Sequence, residues 1–383
     1  CHKGCCIGVY PLLTDSADNL NDNLLNLCQF RLAMDIETKL DLVTRNTVEV
    51  ITREELKTVL ETETKPRAYI GFEPSGFVHL GTGLICIQKV KELVQAGFEV
   101  TIFLADWHAL INDKLNGKME NIQHAAQYMK EAFVALGADS PQIKYILGSE
   151  LVSRKQYWEK VIKIAKHCTL ARIKRAMNIM GRTEEEAEQD TSKLYYPAMQ
   201  AADIYELGAH VAYAGMDQRR VHMLARDVAE KLKWYKPVAL HTPLLMGLKG
   251  GERMDPEQAK MSKSDPDTCI YIHDAPEIIR SKLKKAFCPM KIVEGNPVLE
   301  IAKLLIFPIQ NVLNIERPEK YGGNLTLHNF EELSKIYSTE QLHPEDLKIG
   351  VAESLIKILE PVRAYFETHK ENIEIIKSLK ITK

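Results

Sequence analysis

Residues 68–81 constrain the fold of this chain more than any other stretch of its sequence. An apolar run from Ala68 to Phe72 is followed by a loop with proline and glycine, and then by apolar residues at helical spacing: Leu84, Ile87, Val90 and Val94. This order predicts a buried strand, a loop and a helix N-terminus, where free backbone N–H groups and the helix dipole favour an anion. His79 lies at the start of that helix and is placed to donate to a phosphate oxygen. The alternative is an ordinary strand–loop–helix connection that contains a histidine by chance.

The same alternation continues along the chain. Apolar runs at 98–106, 144–148 and 211–213 predict strands, and residues 120–136 and 219–231 have helical spacing. Strands and helices that alternate with short connections predict an α/β fold with a parallel sheet covered on both faces. Ligands of such folds bind at the carboxyl ends of the strands. The strand at 211–213 and the helix after it are expected to complete the sheet.

Three further regions complete the expected organisation. Residues 50–63 have the spacing of a helix that precedes the sheet, residues 151–191 are expected to be a largely helical, basic insertion, and the chain is expected to be wholly helical from about residue 275. A run of charges such as that of the insertion is usually a solvated helix face. The first 33 residues do not match the rest, since their middle (Asp15 to Asn23) is polar and rich in Asn and Asp, and they lack an initial methionine and show no signal-peptide pattern. We expect Met34 to be the natural start and residues 1–33 to be a tail outside the fold.

Composition excludes some classes of protein. The 383 residues suffice for two domains, and no apolar run approaches the roughly 18 residues that span a membrane. A net charge of −2 gives no overall attraction to nucleic acid, so any RNA contact must come from local basic clusters. Four cysteines are scattered singly, which fits reduced thiols in a cytoplasmic enzyme. The other four, Cys1, Cys5, Cys6 and Cys28, lie within the first thirty residues, where the starting run of Cys1, His2, Lys3, Gly4, Cys5 and Cys6 could be a metal fragment but lacks a matching second pair.

A second loop strengthens the interpretation of the first stretch as an anion-binding site. Lys260, Met261, Ser262, Lys263 and Ser264 follow one another within residues 258–266, between paired glycines and an Asp-Pro turn. Two lysines and two hydroxyls in five residues suit a clamp that neutralises transferring phosphoryl oxygens. Taken alone, a basic loop of this kind is more often a solvated surface turn.

Together the two stretches resemble a known family. His79-Leu80-Gly81 and the loop from Lys260 to Ser264 resemble the two ATP motifs of class I aminoacyl-tRNA synthetases. Residues 66–366 resemble tyrosyl-tRNA synthetases of the archaeal and eukaryal type. The chain departs from the family pattern at Thr82, where the first motif usually closes with a second histidine. The resemblance implies a Rossmann-like catalytic domain (34–274), a helical anticodon-binding domain (275–383), and a homodimer joined through the insertion.

The resemblance also implies a reaction and its ATP site. Tyrosine would attack the α-phosphate of ATP, which arrives with Mg²⁺, and the tyrosyl group would pass to tRNA(Tyr). No tightly bound cofactor or metal is expected. The catalytic residues it implies are His79, Lys260, Lys263 and Ser264, and further ATP contacts are Gly81, Asp217, Met261 and Ser262. Asp217 follows Gly215 at a strand–helix junction, where an acid suits ribose hydroxyls; a helix N-cap is an equally good local explanation.

Residues 196–203 predict the amino-acid site. Pro197 suits the first turn of a helix, and Gln200 and Asp203 then share one face of an otherwise apolar segment. A buried acid without a basic partner is costly, so a specific partner is expected, either a ligand or a neighbouring backbone that it caps. The resemblance assigns Tyr69 and Asp203 to the substrate phenol hydroxyl. It assigns Tyr196, Gln200 and Gln218 to the amino group, with Glu73 nearby.

The resemblance assigns two groups of residues to tRNA. Arg175 and Arg219 match positions that face the first base pair of the acceptor stem, and the guanidinium fork suits base edges and phosphates. Tyr321, His343 and Asp346 match residues that stack on and hydrogen-bond the first anticodon base. Alternatives for this second group are a core aromatic for Tyr321 and a helix cap for Asp346.

Three rival functions remain at this point. A tryptophanyl-tRNA synthetase shares the fold and the ATP motifs, but Tyr69 with Asp203 does not suit an indole. A small-molecule adenylyltransferase also uses a histidine-containing first loop, but the helical region after residue 275 disfavours it. A non-catalytic RNA-binding relative is disfavoured by intact His79, Lys260 and Lys263.

Overall fold

The computed structural model describes residues 34–180, 190–250, 260–261 and 266–379. The predicted tail and its four cysteines lie outside the described residues. So do Ser262, Lys263 and Ser264 of the second loop and residues 181–189 of the insertion.

The chain forms an α/β fold around one six-stranded sheet, which confirms the predicted fold class. The strands are β1 (Glu49–Ile51), β2 (Arg67–Phe72), β3 (Glu99–Leu104), β4 (Ile143–Leu147), β5 (Val211–Gly215) and β6 (Val238–Thr242). Their order across the sheet is β1-β6-β5-β2-β3-β4. All neighbouring pairs are parallel except β1 with β6, where Val50 lies opposite Leu240. The expectation that the strand near residues 211–213 completes the sheet is wrong, because β6 and β1 extend it.

Helices cover the sheet and link its strands. Those of the first half are α1 (Ile36–Thr44), α2 (Arg53–Thr62), α3 (Cys86–Gln95), α4 (Asp106–Ile111), α5 (Met119–Ala135), α6 (Gly148–Val152), α7 (Lys155–Lys166) and α8 (Leu170–Ala176). They are followed by α9 (Tyr196–Glu206) and α10 (Arg219–Leu232), which flank β5. The predicted helix at 50–63 is shorter than expected, since its first residues form β1 and Thr52 caps α2 through a capping box with Glu55.

The C-terminal region is mainly helical. Its helices are α11 (Pro276–Lys285), α12 (Pro297–Ile301), α13 (Phe307–Gln310), α14 (Phe330–Ser338), α15 (Pro344–Ile358), α16 (Glu360–Thr368) and α17 (Glu371–Ser378). It also contains a two-stranded antiparallel ribbon of β7 (Leu313–Ile315) and β8 (Leu325–Leu327), so the expectation of a wholly helical region is wrong in this detail. Strands of three residues are too short to show a periodic pattern in the sequence.

Alternation along the central strands sorts their side chains between two hydrophobic clusters. Ala68 and Ile70 of β2 point into a large cluster that continues without a break into the C-terminal helices. Tyr69 and Phe103 point to the opposite face, into a second cluster built with α7, α9 and α10. Tyr69 is therefore buried between β2 and the helix that carries Asp203. No helix in the described part of the chain has the length and apolar character needed to cross a membrane.

Candidate active site

The candidate site lies where the strand order reverses. Strands β3 and β4 extend the sheet on one side of β2, and β5 and β6 extend it on the other. The loops after β2 and β5 therefore diverge at the carboxyl ends of two adjacent parallel strands, which is the usual place for a ligand in an open α/β sheet. The predicted His79 loop follows β2, and Asp217 follows β5.

The His79 loop leads into a helical turn, Gly81–Ile85, that continues into α3. The backbone N–H of Gly81 donates to Nδ1 of His79 at 3.1 Å, so the proton of a neutral ring is assigned to Nε2. Nε2 lies 3.0 Å from the hydroxyl of Thr82, the residue that departs from the family pattern. A Cβ at Gly81 would lie 3.1 Å from Cε1 of His79, so glycine lets the ring approach the helix start closely.

The described residues on either side of the second loop contact the other predicted ATP-site segments. On the far side of the second loop, the N–H of Leu80 donates to the carbonyl of Ile270 at 3.0 Å, and the N–H of Ile272 donates to the carbonyl of Val78 at 3.1 Å. This short ladder joins the His79 loop directly to the segment that follows Ser264. On the near side, Lys260 donates to Asp217 Oδ2 at 2.7 Å.

Asp217 does not cap a helix. It lies in a short turn, Met216–Gln218, and the residue before α10 is Gln218, whose side chain makes no capping hydrogen bond. A Cβ at Gly215 would lie 2.9 Å from Oδ1 of Asp217, so glycine leaves room for the carboxylate to turn back over the strand end. Met261 is buried, and its N–H donates to the carbonyl of Leu245 at 2.7 Å.

Tyr69 and Asp203 meet in the buried pocket between β2 and α9. They are 2% and 1% exposed. Burial raises the pKa of Tyr69 well above its ordinary value, and the charge of Asp203 adds to that effect, so the two groups lie close enough to interact. Burial also raises the pKa of Asp203 well above its ordinary value, against the hydrogen bond from Tyr157. Asp203 does not cap a backbone: its Oδ1 accepts from the hydroxyl of Tyr157 at 2.9 Å.

Unpaired polar atoms mark the pocket. Oδ2 of Asp203 and Oε1 of Gln200 are buried and have no hydrogen-bond partner within the described ranges. A buried polar atom without a partner is costly, which is why most such atoms in proteins are satisfied. The pocket thus offers two free acceptor atoms on α9, one on each of the predicted substrate residues Gln200 and Asp203.

Glu73 lies among the residues predicted to bind the amino group. The hydroxyl of Tyr196 donates to Oε1 of Glu73 at 2.5 Å, and Asn112 Nδ2 lies 3.0 and 3.1 Å from its two oxygens. Gln200 donates to Oε1 of Gln218 at 3.1 Å. The arrangement holds a carboxylate and amide oxygens where an ammonium group can be bound.

Three residues around the pocket were missed in the sequence: His108, Asn112 and Tyr157. Each is almost fully buried. A lone histidine, amide or tyrosine in an apolar helical stretch is more often a core residue than a ligand contact, so the sequence alone contains no signal that would single them out.

The residues predicted to contact tRNA lie in two separate places. Arg175 is exposed on α8, and Arg219 at the start of α10 pairs with Glu49 Oε1 at 2.5 Å. Tyr321 is 59% exposed, with the ammonium of Lys320 over its ring at 4.7 Å, so it is not a core aromatic. His343, rather than Asp346, caps α15, accepting from the N–H of Glu345 at 3.2 Å.

Arg317 holds the Tyr321 and His343 segments together. It donates to the carbonyl of Gly323 at 2.9 Å and to the carbonyl of Gln341 at 2.9 Å. The backbone near Tyr321 is therefore tied to the backbone near His343. Within the residues that the structure describes, no three His, Cys, Asp or Glu side chains come together to hold a metal ion.

This fold and site are those of a class I aminoacyl-tRNA synthetase, and comparison with known proteins supports that class. Residues 61–360 match the family model described as tRNA synthetases class I (W and Y). The tyrosine--tRNA ligase of Sulfolobus acidocaldarius is 49% identical over 90% of this chain and 98% of its own length, and that of Sulfurisphaera tokodaii is 47% identical over 91% and 98%. The solved tyrosyl-tRNA synthetase of Pyrococcus horikoshii, complexed with L-tyrosine, is 43% identical with a TM-score of 0.85 and covers 90% of this chain and 100% of its own. The chain belongs to the tyrosine–tRNA ligase family of class I aminoacyl-tRNA synthetases.

Proposed function

We propose that this protein activates L-tyrosine with ATP, giving tyrosyl-adenylate and pyrophosphate, and then transfers the tyrosyl group to the 3′-terminal ribose of tRNA(Tyr). The observation that carries the proposal is the carboxyl group of Asp203, which is buried beside Tyr69 with one oxygen unpaired. A phenol suits such an oxygen, because its hydroxyl can donate a hydrogen bond to the carboxyl group while its apolar ring packs against the buried surroundings.

The amino-acid pocket divides between the two ends of the substrate. Tyr69 and Asp203 bind the phenol hydroxyl. The oxygens of Gln200, Gln218 and Glu73, with the hydroxyl of Tyr196, surround the ammonium group. This leaves the substrate carboxylate at the open end of the pocket, toward the strand ends where the ATP loops meet.

Catalysis in this proposal is positioning and charge neutralisation. The substrate carboxylate attacks the α-phosphate in line, with no covalent enzyme intermediate. His79 and Gly81 hold phosphate oxygens at the helix start, and Asp217 accepts from the ribose hydroxyls. The second loop neutralises the departing pyrophosphate through Lys260, Lys263 and Ser264, with Met261 and Ser262 against the nucleotide. Mg²⁺ enters with ATP as part of the substrate.

The remaining assignments concern tRNA and assembly. Residues 34–274 carry the catalytic chemistry, and residues 275–383 bind the anticodon through Tyr321, His343 and Asp346. Arg175 and Arg219 contact the acceptor stem. The protein acts as a cytoplasmic homodimer joined through the insertion at 151–191.

Amino-acid-dependent ATP–pyrophosphate exchange tests the proposal. We expect exchange with tyrosine, and a much lower kcat/KM with tryptophan or phenylalanine. Exchange with tryptophan alone would refute tyrosine as the substrate. No exchange with tyrosine, tryptophan or phenylalanine would refute the assignment of the protein as an amino-acid-activating enzyme.

A further inference from the structure

His108 stands against the phenol end of the pocket. It lies in α4, directly after β3, and is 2% exposed. Its ring is nearly perpendicular to that of Tyr196 (4.8 Å between centroids, 88°) and to that of Phe103 (6.1 Å, 85°). Two aromatic neighbours therefore fix the orientation of the imidazole.

The imidazole faces the unpaired oxygen of Asp203. Nε2 of His108 lies 3.3 Å from Oδ2 of Asp203, but the geometry falls short of a hydrogen bond. Neither ring nitrogen has a partner in the part of the chain that the structure describes. A histidine that merely fills a core normally bonds a carbonyl or hydroxyl, because a buried N–H without an acceptor is costly. Here three polar atoms, the two nitrogens and Oδ2, are left unsatisfied together.

We propose that His108 is a specificity-determining positioning residue for the phenol: its Nε2–H and the substrate hydroxyl donate together to Oδ2 of Asp203. The inference rests on the proposed function. A carboxylate oxygen has room for both donors, and Tyr157 already occupies Oδ1. A buried acceptor without a donor is tolerated better than a buried N–H without an acceptor, so the ring proton belongs on Nε2, facing the acid, and not on Nδ1.

Burial determines the charge states of His108 and Asp203, and with them the hydrogen bonds that the two side chains can make. Burial lowers the pKa of His108 to about 3, so at neutral pH the ring is uncharged and supplies a single N–H. Burial raises the pKa of Asp203, so each donor that reaches its oxygens helps to keep it a hydrogen-bond acceptor. With phenylalanine in the pocket Oδ2 loses the hydroxyl donor, whereas His108 holds the carboxylate in the one position from which it can accept from the hydroxyl of tyrosine. The histidine thereby sets the position of the atom that distinguishes tyrosine from phenylalanine.

Three substitutions separate this role from packing. His108→Gln places an amide N–H near the position of Nε2, His108→Asn places one near Nδ1, and His108→Leu provides neither. The readout is the ratio of kcat/KM for tyrosine to kcat/KM for phenylalanine in pyrophosphate exchange, with the KM for ATP and the melting temperature as controls. We expect the glutamine variant to keep the ratio within a few-fold, and the other two to lower it about tenfold to a hundredfold, as for the loss of a hydrogen bond to a charged group. An equal ratio in all three variants would overturn the proposal.

A measurement on the unaltered protein guards against variants that fail to fold. Imidazole ¹⁵N chemical shifts report which nitrogen carries the proton, and through-bond correlation from the backbone of the unaltered protein assigns the signal. We expect the Nε2–H tautomer, with its Nε2 shift changed by tyrosine and not by phenylalanine. The Nδ1–H tautomer, or an Nε2 signal indifferent to tyrosine, would overturn the proposal while leaving tyrosine-dependent exchange intact. If the unaltered protein does not exchange with tyrosine, the proposed function fails and this inference fails with it.

Discussion

Nζ of Lys260 lies 2.7 Å from Oδ2 of Asp217, and both side chains are partly buried, at 30% and 20% exposure. The first lysine of one candidate ATP loop is thus paired with the acid at the end of β5 that we assign to the ribose. A nucleotide that binds both groups therefore meets an ion pair that already exists in the free protein and competes with it for the ammonium and the carboxylate.

Substituting Asp217 tests this relationship. Asp217→Asn removes the charge that holds Lys260 and weakens an acceptor for the ribose hydroxyls, so we expect the KM for ATP to rise about tenfold, the range for losing a hydrogen bond to a charged group. Tyrosine affinity, measured by calorimetry without ATP, should stay the same. Asp227→Asn is the matched control, since it breaks an exposed pair with Arg172 (2.6 Å) and should change neither quantity. A tyrosine affinity that falls as much as ATP affinity would contradict the assignment.

Asp203→Asn should raise the melting temperature near neutral pH while weakening the binding of tyrosine. The pKa of Asp203 is raised by burial above its ordinary 3.8, so the folded protein binds more protons at this site than the unfolded chain does. The contribution of Asp203 to stability is therefore present below pH 3.8 and is lost as the pH rises from there toward the folded pKa. We expect the asparagine variant to gain melting temperature over the native chain as the pH rises to neutrality, and to bind tyrosine at least about tenfold more weakly.

Glu206, also in α9, provides the control of opposite sign. Burial opposes ionisation there, but hydrogen bonds and charges from Lys160 and Arg154 outweigh it and lower the pKa of Glu206. Its stabilising contribution is present at neutral pH and is lost on acidification, so Glu206→Gln should lose melting temperature at neutral pH. The same pH trend in both variants would mean that the direction assigned to Asp203 is wrong.

A buried ion pair within α3 anchors the end of α1, because its lysine donates to backbone carbonyls there and its glutamate also pairs with Arg45 at 2.8 Å. Lys89 and Glu92 are 2% and 1% exposed and lie 2.5 Å apart, and Lys89 also donates to the carbonyls of Val43, at 3.0 Å, and Arg45. Glu92→Ala leaves the ammonium buried without its counter-charge, so we expect a loss of about 3 kcal/mol in the free energy of unfolding, the low end for breaking a buried pair, because the two carbonyls remain. Urea denaturation measures the loss.

Glu37→Ala is the control for that prediction. It removes an exposed partner of Lys57, at 2.6 Å, and exposed pairs add little to stability. We expect the free energy of unfolding to be almost unchanged in this variant. Equal losses in the two variants would contradict the role of burial.

Asp346 should affect charging of tRNA without affecting activation of tyrosine. It is half-buried in the first turn of α15 and does not cap the helix, so its carboxylate is available to a guanine edge. We expect Asp346→Ala to lower kcat/KM for tRNA charging about tenfold or more and to leave pyrophosphate exchange intact. The neighbouring Glu345→Ala, which removes an exposed acid 3.6 Å from Lys348, is the control and should charge tRNA normally. Equal loss of exchange and charging would indicate a structural role for Asp346.

Local patterns predicted the central strands of the sheet and failed at the two strands of one edge. β2 and β3 are buried on both faces, so their apolar runs were recognisable in the sequence. β1 and β6 were missed. β1 has three residues and none of them is buried, and β6 includes His241, whose ring approaches Glu49 of β1 at 3.0 Å. Such strands form because a partner strand supplies their hydrogen bonds, and that partner is remote in the chain.

The sequence alone determined the α/β alternation, the two candidate ATP motifs and an acid on an apolar helix, because periodicity and local composition encode them. Only the tertiary structure decided that Asp203 lies beside Tyr69, that His108 and Tyr157 face its two oxygens, and that Lys260 pairs with Asp217. The physical reason is that burial, pKa shifts and hydrogen-bond satisfaction depend on which distant segments come into contact, and a short-range pattern does not contain that information.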